Sequence, residues 1–315
     1  MEHVSRLAAH VRTEMSKIII GQREVVDQLL LVVICRGHAL LEGVPGLAKT
    51  LAVKTLARIC GLGFQRVQCT ADLMPADVMG TNIFNAGAGT FALHRGPIFT
   101  DLLLVDEINR TSPRTQAALL EAMEERQVTI DGTRHPLTDD FAVFATQNPV
   151  EFEGTYPLPE AQLDRFLLKI RIDYPSAAEE AEILVRFERG FDPAHLDRIP
   201  ISPIEPGLLS AARLEIEKIR VEPSLHSYIV NLVRRTRDWP ALSLGASPRA
   251  AIGLLFVARA LAGSEGRDFL IPDDIKAAAG PVLRHRVLLK PEAELEGLNS
   301  DQIISEILAT IEVPK

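Results

Sequence analysis

The sequence predicts an α/β fold, in which a parallel β-sheet carries helices on both faces and a smaller all-α domain follows. Between residue 18 and about residue 173, helix-like stretches alternate with short apolar runs, a pattern typical of parallel strands joined by helices. After Tyr174 this alternation ends and a proline-rich stretch follows. Beyond that stretch apolar residues recur at helical spacing, so the second domain is predicted to be wholly helical.

Each predicted strand of the first domain is a short apolar run, and each predicted helix has apolar residues three or four positions apart. Segments 81–99 and 127–137 break the alternation, because each holds two β-like runs around a glycine-containing turn. They are predicted to be β-hairpins that project from the sheet. The predicted strands are 38–41, 64–68, 102–106 and 141–146, and the predicted helices are 25–36, 49–60, 113–125 and 177–189.

The chain length of 315 residues exceeds the roughly 100–200 residues of one compact domain, so two domains are expected. Hydrophobic residues make up 47% of the chain, which is enough to build a core in each. The boundary is predicted in the proline-rich stretch, with a first domain over residues 1–192 and a second over residues 193–315. The helices predicted for the second domain are 208–219, 224–237, 248–262, 272–282 and 301–311.

Composition excludes several classes of function. The net charge is −8, from 34 basic and 42 acidic residues, so bulk attraction to nucleic acid is not expected, although a local basic groove remains possible in principle. The three cysteines form no C-x-x-C pair and are predicted to be buried thiols of a reducing compartment, and the eight histidines form no H-E-x-x-H zinc motif. The longest apolar run, 29–35, is far shorter than the roughly 20 residues of a membrane span, and the charged first 15 residues do not resemble a signal peptide. A soluble, cytoplasmic protein is expected.

A glycine-containing loop lies between the first predicted strand and the helix that follows it. In that position backbone N–H groups and the helix N-terminus can bind phosphate oxygens, Lys49 can reach the β- and γ-phosphates of ATP, and the Thr50 hydroxyl can bind Mg²⁺. The alternative is an ordinary turn before a helix. The predicted nucleotide-binding residues of this loop are Gly43, Val44, Pro45, Gly46, Leu47, Ala48, Lys49 and Thr50, followed by Leu51.

One position departs from the general phosphate-loop motif, which has glycine immediately before the lysine. Ala48 occupies that position here. If the position requires a positive φ, alanine costs on the order of 1 kcal/mol there. Such a cost would leave nucleotide binding intact.

Two adjacent carboxylates follow the buried strand 102–106. Asp106 at the strand end can hold Mg²⁺ through water, and Glu107 can polarise an attacking water molecule. Adjacent acidic residues alone would be read as a solvated loop. Because a phosphate loop precedes them, a catalytic carboxylate pair is the better interpretation.

Two further polar residues are candidates for contact with the γ-phosphate. Asn148 follows the strand 141–146, and its strand end is predicted to lie beside the other two; the alternative is a plain Asn-Pro turn. Arg249 opens a predicted helix behind Ser247 as N-cap and Pro248 at the first helical position. That placement would direct Arg249 towards a cleft between the domains, although a surface arginine fits the local sequence equally well.

Several long motifs resemble those of one family. They are QCTADLMP at residues 68–75, DEINR at 106–110, LEAMEE at 120–125 and EGTYPLPEAQLDRF at 153–166. Together they resemble the MoxR family of AAA+ ATPases over roughly residues 15–175, and the helical remainder suits that family's lid domain. The resemblance therefore implies an AAA+ P-loop αβα sandwich followed by a small all-α lid.

The resemblance also implies an assembly and further site residues. MoxR-like proteins are expected to form hexameric rings with ATP and Mg²⁺ at the subunit interfaces. Arg165 would then be an arginine finger that reaches the neighbouring subunit's site, with a local Asp164–Arg165 pair as the alternative. Arg249 would contact the nucleotide of its own subunit. Ile19, Ile20 and Gly21 resemble the segment that contacts adenine.

The function implied by the resemblance is ATP hydrolysis that drives chaperone-like remodelling or activation of a partner protein complex. A partner with a von Willebrand A domain is implied as well. The alternatives are a nucleic-acid-translocating AAA+ motor and the motor subunit of a metal chelatase. A motor that tracks DNA should present basic hairpin tips, but residues 85–90 contain no lysine or arginine and the second hairpin offers only Arg134.

Overall fold

The computed structural model of the protein describes residues 1–87, 89–148 and 154–314. Ala88 of the first predicted hairpin turn, Pro149 after Asn148, Glu153 of the longest motif and Lys315 lie outside these ranges. The chain forms two compact units. The sheet unit comprises residues 11–158 and 170–204, and the helical unit comprises residues 1–10, 159–169 and the described chain from residue 205 onwards.

The strands in chain order are β1 (Ala39–Glu42), β2 (Phe64–Gln68), β3 (Gly80–Asn85), β4 (Thr90–Arg95), β5 (Leu102–Asp106), β6 (Gln127–Ile130), β7 (Thr133–Pro136), β8 (Ala142–Gln147), β9 (Leu168–Arg171), β10 (Leu242–Leu244) and β11 (Leu288–Leu289). The first seven α-helices are α1 (Glu2–Ser16), α2 (Arg23–Ile34), α3 (Lys49–Cys60), α4 (Pro75–Met79), α5 (Pro113–Glu125), α6 (Glu160–Leu163) and α7 (Ala177–Glu188). They are followed by α8 (Leu208–Glu217), α9 (Pro223–Arg237), α10 (Pro248–Ser264), α11 (Pro272–Leu283), α12 (Pro291–Leu295) and α13 (Ser300–Thr310). Short 3₁₀ helices lie at Ile108–Arg110 and Pro193–Arg198.

A five-stranded sheet with the order β2-β5-β8-β1-β9 forms the centre of the sheet unit. The pairs β2/β5, β5/β8 and β8/β1 are parallel. Strand β5 is buried along its length up to Asp106, and most of β8 is buried as well, which explains why both read as continuous apolar runs. The predicted fold class is therefore confirmed, and β8 lies between β5 and β1, so the three strand ends meet at one edge as expected.

Both predicted hairpins form, and each is a separate two-stranded antiparallel sheet. The turn between β6 and β7 has positive φ at both central residues, 48° at Asp131 and 79° at Gly132. An Asp-Gly pair adopts this conformation readily, and it matches the twist of the flanking strands. Neither hairpin joins the central sheet.

One sequence prediction needs correction, and two elements were missed. The second domain is not wholly helical, because β10 and β11 pair antiparallel with Leu242 opposite Leu289. Strand β9, a fifth member of the central sheet, was missed because its four residues alternate between apolar and charged. Helix α1 was also missed, although its buried residues recur at helical spacing: Val4, Leu7, Ala8, Val11 and Met15.

Smaller differences concern the cysteines and the domain boundary. Cys60 and Cys69 are buried as predicted, whereas Cys35 is half-buried. The compact units are not contiguous along the chain, and the division at residues 192 and 193 stays a prediction. Among the described residues, no helix combines the length and the apolar character that crossing a membrane requires.

Candidate functional site

The loop between β1 and α3 has the conformation that a phosphate loop needs. Gly46 has a φ of 88°, and Ala48 has a φ of 55° and caps the N-terminus of α3. The left-handed conformation considered for Ala48 is therefore present, at a cost of about 1 kcal/mol for a residue with a Cβ. A Cβ on Gly43 would lie 2.6 Å from the carbonyl oxygen of Ile172, so only glycine fits where the loop begins.

Lys49, the first residue of α3, folds back over this loop. Its Nζ donates hydrogen bonds to the carbonyl oxygens of Gly43 and of Val44, the latter at 3.2 Å. Partial burial lowers the pKa of Lys49, and the nearby carboxylates of Asp106 and Glu107 counteract part of that shift. The ammonium is thus held by loop carbonyls that bound phosphate oxygens could replace.

At the end of β5, one buried hydroxyl links the carboxylate of Asp106 to the backbone of Glu107. Thr146 Oγ1 donates to Asp106 Oδ1 at 2.6 Å and accepts from the backbone N–H of Glu107 at 2.8 Å. Glu107 itself has a left-handed backbone, with a φ of 58°. Because Thr146 is only 1% exposed, it fixes the direction of Asp106 and the backbone of Glu107 together. Its position near the end of an apolar strand was the only sequence signal for this role.

Further polar contacts to the side chains of Asp106 and Glu107 come from β2 and from the 3₁₀ helix after β5. Arg66 forms an ion pair with Asp106 Oδ2 at 2.5 Å, and Gln68 donates to Glu107 Oε2 at 3.0 Å. Arg110 contacts the same Glu107 oxygen at 3.2 Å. No local sequence pattern predicted a role in the site for Arg66, Gln68 or Arg110. Their side chains are largely exposed, and ion pairs in such positions contribute little to stability, so their effect is on the orientation of the two carboxylates.

Asn148 comes directly after β8 and is 7% exposed. Strand β8 lies between β1 and β5. Asn148 therefore lies at the same edge of the sheet as the loop of Lys49, which follows β1, and the Asp106–Glu107 pair, which ends β5. Thr50, in the first turn of α3, is half-buried. The structure thus brings the predicted residues of the sheet unit together at one edge.

An apolar cavity of about 240 Å³ lies beside the loop in the sheet unit. Ile19 and Ile20 line it, whereas Gly21 lies just outside and has a φ of 64°. An apolar cavity next to a phosphate loop fits an aromatic base. The remaining lining residues are Gly46, Leu47, Ala48 and Leu51, which were predicted, and Ile18, Gln22, Pro175, Ile183, Phe191 and Pro193, which the sequence analysis missed.

The two predicted arginines belong to the helical unit. Arg165 follows α6 and is half-buried, and Arg249 is an exposed residue in the first turn of α10. The predicted cap of that helix is confirmed, because the Ser247 hydroxyl accepts from the N–H of Arg249 at 3.1 Å. The roles of both arginines towards a nucleotide stay predictions.

The residues at the sheet edge fit a nucleoside triphosphate with its magnesium ion. The loop and Lys49 supply donors and a cation for phosphates, while Thr50 and Asp106 supply the hard oxygen ligands that Mg²⁺ prefers. Glu107 adds a second carboxylate, held in position beside Asp106. A strand, phosphate loop and helix combined with a carboxylate pair at the end of another parallel strand of the same sheet define the class of P-loop ATPases.

Comparison with known proteins narrows this class. Residues 38–168 match the family model described as "ATPase family associated with various cellular activities (AAA)", and residues 234–307 match the "AAA lid domain". The chain is 42% identical to Chaperone MoxR1 of Mycobacterium tuberculosis, over 98% of this chain and 84% of that protein. It is 32% identical to Protein MoxR of Methylorubrum extorquens, over 96% and 93% of the two chains. The chain belongs to the MoxR family of AAA+ ATPases.

Two further similarities cover nearly the whole chain. YeaC of Bacillus subtilis, a protein of uncharacterised function, is 46% identical over 95% of this chain and 92% of its own. A crystal structure of a Cytophaga hutchinsonii protein superposes with a TM-score of 0.90 at 42% identity, and the match covers 100% of this chain and 98% of that one. The two-unit fold is therefore shared by a solved relative along its full length.

Proposed function

We propose that the protein hydrolyses ATP at interfaces between copies of the chain, and that hydrolysis drives remodelling or activation of a partner protein complex. The observation that carries the proposal is the Thr146 hydroxyl, which holds Asp106 and Glu107 in fixed directions at the sheet edge where Lys49 lies. If this edge of the sheet served only to stabilise the fold, it would not require two carboxylates and a buried hydroxyl next to a loop with left-handed residues.

In this proposal each predicted residue at this edge of the sheet has a defined role in binding or hydrolysis. Lys49 binds the β- and γ-phosphates, and Thr50 and Asp106 hold the magnesium ion, which neutralises charge on the phosphates when it is bound. Glu107 accepts the proton of the attacking water molecule at a carboxylate oxygen, and Asn148 orients that water. Ile19 and Ile20 pack against the adenine base.

The same proposal gives the arginines of the helical unit a role in turnover. Arg165 supplies positive charge to the γ-phosphate held by a neighbouring copy, and Arg249 supplies it to the nucleotide of its own chain. A closed ring is the assembly in which each site receives both contributions. A hexamer is the ring size that the family resemblance implies.

A protein client is favoured over nucleic acid by the surface of the first hairpin. Ile83, Phe84 and Phe91 are 52%, 54% and 71% exposed, and the two phenylalanine rings lie 5.2 Å apart. An exposed apolar patch of this kind is typical of a protein contact surface, and the nearby turn contains no lysine or arginine. The chaperone name of the Mycobacterium tuberculosis relative points the same way, and a von Willebrand A domain protein is the partner implied by family resemblance.

The experiment measures ATP hydrolysis and partner capture together. Glu107→Gln should bind ATP, turn over very slowly and retain a partner that co-purifies in ATP, whereas Lys49→Ala should bind ATP much more weakly and should not retain the partner. Normal turnover by Glu107→Gln would refute the assignment of the catalytic carboxylate. ATPase stimulation by DNA that fades steeply with added salt would favour the nucleic-acid motor instead.

A further inference from the structure

The guanidinium of Arg286 is buried in the helical unit, just after α11, with its side chain only 4% exposed. An arginine side chain carries five N–H donors in a rigid fork, and all five find acceptors here. Nε donates to Asp164 Oδ1 at 2.7 Å. The other donors reach carbonyl oxygens, namely Leu167 at 3.1 Å, Val282 at 2.6 Å, Asp164 at 3.2 Å and Phe166 at 2.6 Å.

Three of these carbonyl acceptors surround Arg165 in the sequence. Arg286 binds the carbonyl oxygens of Asp164, just before Arg165, and of Phe166 and Leu167, just after it, so the backbone is held on both sides of Arg165. His285 adds a contact between its Nε2 and the carbonyl oxygen of Phe166 at 2.9 Å. The ring of Phe166 is fully buried. The segment that carries Arg165 is therefore anchored by its backbone.

The carboxylate of Asp164 connects this segment to the helix that carries Arg249. One oxygen accepts from Arg286, and the other accepts from the Ser247 hydroxyl at 2.8 Å. The same hydroxyl accepts the N–H of Arg249 as the cap of α10. A single carboxylate thus links the segment of Arg165 and the first turn of α10.

Burying the charged guanidinium of Arg286 in this cluster costs free energy. Burial lowers the pKa of Arg286, the hydrogen bond and charge of Asp164 raise it, and the positive charge of Arg249 lowers it further. Apolar residues of similar volume often stabilise a protein at least as well as a buried ion pair. A buried arginine beside a second arginine therefore suggests a positional requirement rather than a gain in stability.

We propose that Arg286 and Asp164 are positioning residues, which hold Arg165 and Arg249 in the orientations needed for ATP turnover. The inference rests on the proposed function, because it assigns these two arginines to the phosphates. Neither Arg286 nor Asp164 has to touch the nucleotide. The planar fork of Arg286 is required, since an ammonium group cannot reach the same five acceptors.

The test replaces Arg286 with lysine and uses Arg284→Lys as a matched control. Arg284 is also partly buried and also bonded, to Asp301 at 2.9 Å and to the Lys169 carbonyl oxygen at 3.2 Å, but neither partner belongs to the segment 164–167. Arg286→Lys should lower kcat by ~10- to 100-fold, because small misplacements of a catalytic group have effects of that size. The KM for ATP should stay within about twofold, since ground-state binding is unaffected. Arg284→Lys should lower the melting temperature without lowering kcat.

A double variant separates positioning from general damage. In the Arg165→Ala background, Arg286→Lys should lower kcat by a smaller factor than it does in the unmodified protein, because the part of its effect that acts through Arg165 is already lost and only the part through Arg249 is left. If Arg286→Lys does not fold, Asp164→Asn takes its place, since it retains the size and one oxygen acceptor of the side chain. Unchanged kcat in the folded variant, or equal loss of kcat in Arg284→Lys, would overturn the inference. Normal turnover by Glu107→Gln would refute the proposed function itself, so the two failures are distinguishable.

Discussion

Replacement of Thr146 by valine removes one hydroxyl and leaves the volume of the side chain nearly unchanged. The hydroxyl donates to Asp106 at 2.6 Å and accepts from Glu107 at 2.8 Å. Loss of a hydrogen bond to a charged group costs about 1.5–3 kcal/mol, and an unpaired buried N–H costs about 1–3 kcal/mol. Both partners lie near the surface and water can replace part of each bond, so a total loss of about 2–3 kcal/mol is expected.

Turnover should fall as well, because Asp106 and the backbone of Glu107 lose their common anchor. A decrease in kcat of ~10- to 100-fold is expected from the misplaced carboxylates, together with a higher magnesium requirement. In a unit of this size, the loss of stability corresponds to a melting temperature lower by roughly 4–12 °C.

The assays are a thermal melt and steady-state ATP hydrolysis at several magnesium concentrations. Thr146→Ser is the matched control, since it retains the hydroxyl and should keep most of the activity. If Thr146→Val melts and hydrolyses ATP like the unmodified protein, the hydroxyl does not organise the carboxylate pair. Equal loss in the valine and serine variants would show that keeping the hydroxyl does not preserve the site, and would assign the effect to packing around residue 146.

The remaining predictions concern binding, pH and assembly. Lys49→Ala should weaken ATP binding by at least ~10- to 100-fold, the value of a charge-assisted contact; unchanged affinity in calorimetry would contradict the phosphate-loop assignment. Burial lowers the pKa of His38 from 6.5 to about 4, so the unfolded chain binds a proton there that the folded protein excludes. Stability from this residue is therefore present above about pH 6.5 and declines towards pH 4 by about 3 kcal/mol in total; His38→Gln should show a shallower fall in melting temperature between pH 7 and pH 5. Mixing inactive Arg165→Ala with inactive Glu107→Gln should restore activity, because mixed assemblies contain interfaces with both residues intact; mixed rings without activity would place Arg165 outside the neighbouring site.

The part of the fold that could be predicted depends on local sequence pattern. Strands β2 and β5 have the predicted bounds, because their apolar residues and flanking turns lie within a few positions of one another. Helices α3 and α5 were also predicted to the residue. Strand β9 was not found, since a four-residue alternation of Leu, Lys, Ile and Arg carries little signal without its neighbour β1.

The residues of the candidate site also divide into those that local sequence could predict and those that it could not. The phosphate loop before α3 could be predicted from its own residues, and together with it the position of Asp106 and Glu107 after a buried strand predicted the carboxylate pair. From the sequence, a positive φ at Ala48 could be considered but not predicted. The structure shows that Ala48 has this left-handed conformation. The apolar cavity combines Ile19 with Phe191, residues far apart in the chain, so only part of its lining was found in advance.

The sequence by itself determined the class of the protein and predicted the residues of the phosphate loop and the carboxylate pair, because each depends on residue types at short, fixed spacing. Only the tertiary structure decided what holds them in place. Thr146 meets Asp106 across 40 positions, and Arg286 meets Asp164 across 122. Hydrogen bonds over such separations depend on strand order and on the packing of whole elements. Strand order and packing arise from burial between distant parts of the chain, which no local sequence pattern predicts.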